Sequence, residues 1–164
     1  MKKISFLTIS ILITFLLILS CSKTEDKTIE LYGDYLSIEL NSINENFQDS
    51  NYEVKISNSK DLEFENECTL IFELTNSNSE SSVLTSEENI VNKRIPNNPS
   101  LGFLNIQNGG NYSQNYNLNE LNWSGENLEQ LQKGDYNLTV TLFINDPSSP
   151  TNRLTSNKLV YQRK

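Results

Sequence analysis

LEFENECTLIFEL, residues 62–74, alternates with a period of two. Leu62, Phe64, Cys68, Leu70, Phe72 and Leu74 share one parity, while Glu63, Glu65, Glu67, Thr69 and Glu73 share the other. Successive side chains of a strand point to opposite faces, so the segment predicts a strand with one face buried and one in water. Asn66 alone breaks the apolar parity and Ile71 alone the polar one. The break at Asn66 predicts a bulge or a junction between two shorter strands.

The same period recurs outward along the chain. Leu36, Ile38 and Leu40 alternate, as do Tyr52, Val54 and Ile56, then Leu104 and Ile106, and then Tyr136, Leu138, Val140 and Leu142. Asn108-Gly109-Gly110 separates Leu104–Ile106 from a run over Tyr112–Leu118, and an Asn-Gly between apolar-bearing runs predicts a hairpin. SNKLVYQ, residues 156–162, predicts the last strand, after a polar, proline-bearing loop NDPSSPTNR, residues 145–153. ENLEQLQ predicts one helical turn before Gly134. Residues 76–100, rich in Asn, Ser and Glu, predict a long loop with a short strand near Ile90-Val91. About seven strands at this spacing, without a long helix, predict an all-β antiparallel β-sandwich.

At the N-terminus, Lys2 and Lys3 precede an apolar run from Ile4 to Leu19. A basic start and an apolar core of this length match a secretory signal, and the run is shorter than the roughly 20 residues of a comfortable spanning helix. Ile18-Leu19-Ser20-Cys21 resembles the lipobox of bacterial lipoproteins, with an aliphatic residue three before the cysteine and a small residue just before it. That resemblance implies cleavage before Cys21 and acylation (palmitate among the chains) of its thiol and new amino group, giving a lipid anchor in the bacterial cell envelope. The outer membrane or cell surface is favoured over the inner membrane; Glu25 and Asp26 are similar to an acidic surface-export pattern after the cysteine, which two acids in a short polar linker also produce by chance. The expected organisation is a signal peptide over 1–20, a lipidated flexible tether over 21–28 and one sandwich domain over 29–164.

The full chain has 13 Lys+Arg against 21 Asp+Glu and a net charge of −8. Removal of residues 1–20 takes Lys2 and Lys3 with it and leaves about −10, which argues against nucleic acid as a partner. With Cys21 lipidated, Cys68 is the only thiol left. It has no cysteine to pair with and reads as a small buried hydrophobe.

Leu131, Gly134 and Tyr136 in LEQLQKGDYNLTV resemble the L-x-x-G-x-Y corner of immunoglobulin-like and fibronectin-type sandwiches. The resemblance implies an immunoglobulin-like sandwich in which the Tyr136 hydroxyl bonds to backbone a few residues upstream. A final strand opening on Ser156-Asn157 is similar to bacterial domains of that type. The antibody cysteine pair is absent, and Trp123 precedes the corner.

The chain has no histidine, which excludes Ser-His-Asp triads, Cys-His dyads and His-built zinc sites. Carboxylate-pair chemistry stays open on composition alone, although Glu63, Glu65, Glu67 and Glu73 are spaced as a solvated strand face. Asn145-Asp146 and residues 44–49 carry oxygen ligands without a calcium-loop register, and read as turns. Gly109-Gly110 lacks the following helix and lysine of a phosphate loop. Asn111, Asn122 and Asn137 open formal glycosylation sequons that an Asn-rich chain produces by chance. Tyr112, Tyr116 and Trp123 suit either a carbohydrate- or peptide-binding surface or ordinary packing. These residues give an expectation of no enzyme, no cofactor and no metal. The expected protein binds or scaffolds an unknown protein or glycan while held to the membrane by its lipid. The alternative is a proteinase-inhibitor-like domain acting through a loop in 76–100 or 145–153.

Overall fold

Cys68–Asn76, the second half of the alternating stretch, lies at the middle of the molecule because both of its edges are paired. The computed structural model describes residues 31–43, 50–125 and 128–163. The signal segment, Cys21 with its tether and the 44–49 loop lie outside the described residues. Among the described residues, eleven strands follow in chain order: β1 Leu36–Ser42, β2 Asn51–Asn58, β3 Phe64–Asn66, β4 Cys68–Asn76, β5 Ser82–Ile90, β6 Lys93–Ile95, β7 Asn98–Ile106, β8 Asn111–Asn117, β9 Gly134–Ile144, β10 Arg153–Thr155 and β11 Leu159–Arg163. Every ladder between them is antiparallel. The fold is all-β, and its helical content among the described residues is three short 3-10 turns.

One sheet has the order β1-β2-β8. A second runs β5-β4-β9, with β10 and β11 sharing the far edge of β9. Their inner faces form one apolar core in an open sandwich-like stack. Leu70, Phe72 and Leu74 of β4 and Leu138, Val140 and Leu142 of β9 join Leu40, Val54 and Ile56 of the first sheet. Phe72 and Tyr116 meet across the stack with ring centroids 5.0 Å apart. Burying each such side chain contributes about 1.5–3 kcal/mol, and this sets the register of every strand that carries one.

A third, small sheet, β3-β7-β6, extends one end of the molecule. It arises from two nearly continuous segments. β2 runs on into β3 and β7 into β8, so the pairs Ser57↔Asn111 and Phe64↔Ile106 belong to one long ribbon interrupted where residues 58–63 oppose 107–110. Asn58, 2 % exposed, closes that interruption. Its Nδ2 donates to Leu62 O at 2.8 Å, its Oδ1 accepts from Lys60 N at 3.1 Å, and its backbone N donates to Gly110 O at 3.0 Å.

Three expectations need correction. The loop expected over 76–100 is mostly strand. Its inner face in β5 reads Leu84, Ser86, Glu88, Ile90, so two polar residues hide the alternation, while the ladder to β4 holds the backbone. The Asn108-Gly109 turn exists, with Gly109 at φ +62°, but it does not close a hairpin. β7 and β8 pair with β3 and β2 instead, because local turn chemistry does not choose partners for strands whose buried faces already do. Leu62, expected on the buried face, is 61 % exposed, since it lies in the interruption and not in a ladder. The eleven segments exceed seven because long runs change sheets. The 62–74 stretch itself divides into β3 and β4 at Glu67.

Candidate functional site

The β4–β5 hairpin forks at its open end. Beyond the Cys68↔Ile90 pair the two strands separate into β3 and β6, and β7 lies between them. The crotch of this fork is a cleft of about 400 Å³, lined by Cys68, Val91, Gly102 and Phe143 among others. Gly102 is required by close approach. A Cβ there would stand 2.2 Å from Val91 Cγ1 and 3.0 Å from Lys93 O. The rim is polar and internally paired: Asn145 Nδ2 donates to Glu67 Oε2 at 2.9 Å, and Thr69 Oγ1 donates to Asn89 Oδ1 at 2.9 Å.

Cys68, which borders the cleft, is a free cysteine whose side chain shares the buried face of β4 with Leu70 and Phe72. Burial pushes its thiol from an ordinary 9.0 up to about 12. A thiol held protonated at neutral pH is a poor nucleophile.

On the outer face of β3, Lys93 pairs with Glu65 and lies 3.8 Å from Glu63. Asn105 and Gln107 of the neighbouring β7 segment donate to the same carboxylates. The Asn105 amide, and then Lys93, hold the Glu63 carboxyl below the usual range. These two acids are engaged by surface neighbours, whereas Glu67 reaches the fork rim.

Asp146 accepts from three protein donors: Tyr32 Oη at 2.6 Å on Oδ2, and Ser148 N and Oγ at 2.9 and 2.6 Å on Oδ1. Ser148 first, then Tyr32, lower its carboxyl pKa. Asn66 Nδ2 donates to the same Tyr32 Oη at 3.1 Å, so the residue that broke the alternation ties β3 to the β9–β10 loop. Among the described residues, no group of three or more His, Cys, Asp or Glu side chains could hold a metal ion.

Leu131, Gly134 and Tyr136 converge at the start of β9. Tyr136 Oη donates to Gln132 O at 2.9 Å. Leu131 is buried beside it, and Gly134 opens the strand at φ +152°. The aromatic trio is dispersed. Tyr116 is buried against Phe72, Tyr112 is half-buried in β8, and Trp123 packs on the core while its Nε1 donates to Leu118 O at 2.8 Å. Trp123 borders a second cleft of about 310 Å³ with Leu121, Leu128 and Glu129. No protein-family model and no curated protein matches the chain.

The residues that the sequence concealed are asparagines acting as backbone substitutes. Asn92 Nδ2 donates to Asn105 O and its Oδ1 accepts from Asn105 N, both at 2.7 Å. Asn157 does the same to Leu40, at 2.9 Å to O and 2.8 Å from N. A primary amide carries one donor–acceptor pair in the geometry of a peptide unit, so each completes a ladder rung where no strand is present. The available signal was position: each of these asparagines flanks a strand end or a change of partner.

Proposed function

We propose that the chain is an exported, lipid-anchored, non-catalytic immunoglobulin-like sandwich that binds or scaffolds an unknown protein or glycan at the bacterial cell envelope. Ile18-Leu19-Ser20-Cys21 carries this reading. Each buried lipid CH₂ contributes about 0.8 kcal/mol, so several chains on Cys21 make a durable anchor. The fork cleft is consistent with binding, since Val91 and Phe143 line it beside rim side chains that are paired to one another.

The anchor is tested by fatty-acid labelling and membrane fractionation. Cys21→Ala is expected to abolish label and release the domain from membranes; a variant that stays labelled contradicts the reading. For the cleft, a glycan and peptide panel is expected to include a ligand that raises the melting temperature. Asn89→Arg, which crowds the rim from an exposed position, should remove that shift.

One observation favours a second reading, the proteinase-inhibitor-like domain. The 145–152 loop is fastened at its base by the Ile144 N to Asn152 O bond at 2.9 Å, and internally by Asp146. Stoichiometric slowing of a protease panel, lost on replacing Ser148–Thr151, would establish that reading.

A further inference from the structure

β8 is the end of its sheet, and its sequence from Asn111 to Asn117 is Asn-Tyr-Ser-Gln-Asn-Tyr-Asn. Two properties distinguish it from the other edges. It carries no charge and no proline, whereas β1 has Glu39, β3 Glu65, β5 Glu87 and Glu88, β6 Lys93 and Arg94, β10 Arg153 and β11 Arg163. Charges on edge strands deter edge-to-edge pairing, so β8 lacks the usual deterrent. It is also a near-palindrome about Gln114: Asn111 mirrors Asn117 and Tyr112 mirrors Tyr116, with Ser113 and Asn115 both small and polar.

The pleat fits a self-pairing. Asn58 N donates to Gly110 O and Leu118 N to Ser50 O, so the even-numbered residues of β8 bond to β2. The N–H and C=O groups of Asn111, Ser113, Asn115 and Asn117 therefore point away from the sheet. Asn111, Ser113 and Asn115 are exposed, as is Gln114. A second copy laid antiparallel, with its Gln114 opposite this one, sets 111 against 117 and 113 against 115. Every outward-pointing residue then meets another outward-pointing residue. A palindrome centred one half-step away would set outward groups against inward ones and form no ladder.

We propose that β8 pairs with β8 of a second copy of this chain across a two-fold axis at Gln114, joining the two β1-β2-β8 sheets into one of six strands. Like meets like at every position of such an isologous contact. Like charges placed opposite one another would repel, and the absence of charge from this strand, in a chain of net charge −8, is what permits the pairing. Because the argument uses only β8 and its pleat, it does not depend on the lipid anchor or on the fork cleft.

The test is sedimentation of the soluble domain over a concentration series, with Gln114→Lys, Gln114→Glu and their mixture. The wild-type domain is expected to form a dimer. Each single variant should stay folded by circular dichroism and associate about tenfold or more weakly, since it sets two like charges opposite each other. The equimolar mixture should recover the dimer as Lys–Glu heterodimers. A wild-type domain that stays monomeric at high concentration overturns the proposal. So does a dimer indifferent to both substitutions, which would place the contact on another edge, and so does a mixture that fails to recover it.

Discussion

The two edges of the three-stranded sheet have opposite fates. β1 and β8 are each seven residues long and each pairs with β2. On β1, the outward N–H and C=O of Leu40 are taken up by the Asn157 amide, delivered from the break between β10 and β11. On β8, no described segment performs that service. One side chain from 117 residues away in sequence thus decides whether an edge is closed to partners, and ladder length and pleat do not. The five-stranded sheet makes the same point. Its β5 edge is touched at Thr85 by Ser124, whose N donates to Thr85 O at 2.7 Å.

The largest effect is expected at the closed edge. Asn157→Leu leaves two backbone groups of the fully buried Leu40 without partners, and should cost about 2–4 kcal/mol, read as a lower urea midpoint at unchanged slope. A loss under about 0.5 kcal/mol would mean that the strap is not what closes β1. Tyr136→Phe removes the donor to Gln132 O at the start of β9 and should cost about 1–2 kcal/mol. Asn92→Ala breaks an equivalent amide rung in an exposed setting, where water replaces it, and should cost about 1 kcal/mol or less. The contrast between Asn92 and Asn157 isolates burial as the cause. At the open edge, Gln114→Lys should change the stability of the monomer by less than about 0.5 kcal/mol while weakening self-association about tenfold or more.

Cys68 gives a pH signature distinct from either edge. Its thiol pKa is raised on folding by burial, so its contribution to stability is complete below 9.0 and is lost as pH rises from there through about 12. Cys68→Ala should flatten the alkaline limb of the stability profile, and thiol labelling of the native domain should be slow until it unfolds. Asp146 acts in the opposite direction. Its carboxyl is held low, so its contribution is present above the ordinary carboxylate range and fades as pH falls below it.

Much of the sandwich could be read from alternation alone. Leu70, Phe72 and Leu74, and Leu138, Val140 and Leu142, declare their buried faces because nothing polar interrupts them. β5 was hidden because Ser86 and Glu88 occupy its inner face, and the third sheet because it is made by runs that switch partners at Asn58 and Glu67. Partner choice is a long-range property, which a local Asn-Gly signal misreports. The fork cleft was not legible at all, since Gly102 and Val91 become neighbours only when β7 enters between β3 and β6. Asparagines 58, 92 and 157 hold the junctions that alternation cannot.

Hydrogen exchange, followed amide by amide at several protein concentrations, tests the contrast between the edges most directly. The Leu40 amide should exchange slowly at every concentration. The outward amides of Ser113 and Asn115 should exchange fast in dilute protein and slow as concentration rises. Equal, concentration-independent exchange at Leu40, Ser113 and Asn115 would contradict both the strap on β1 and the pairing of β8.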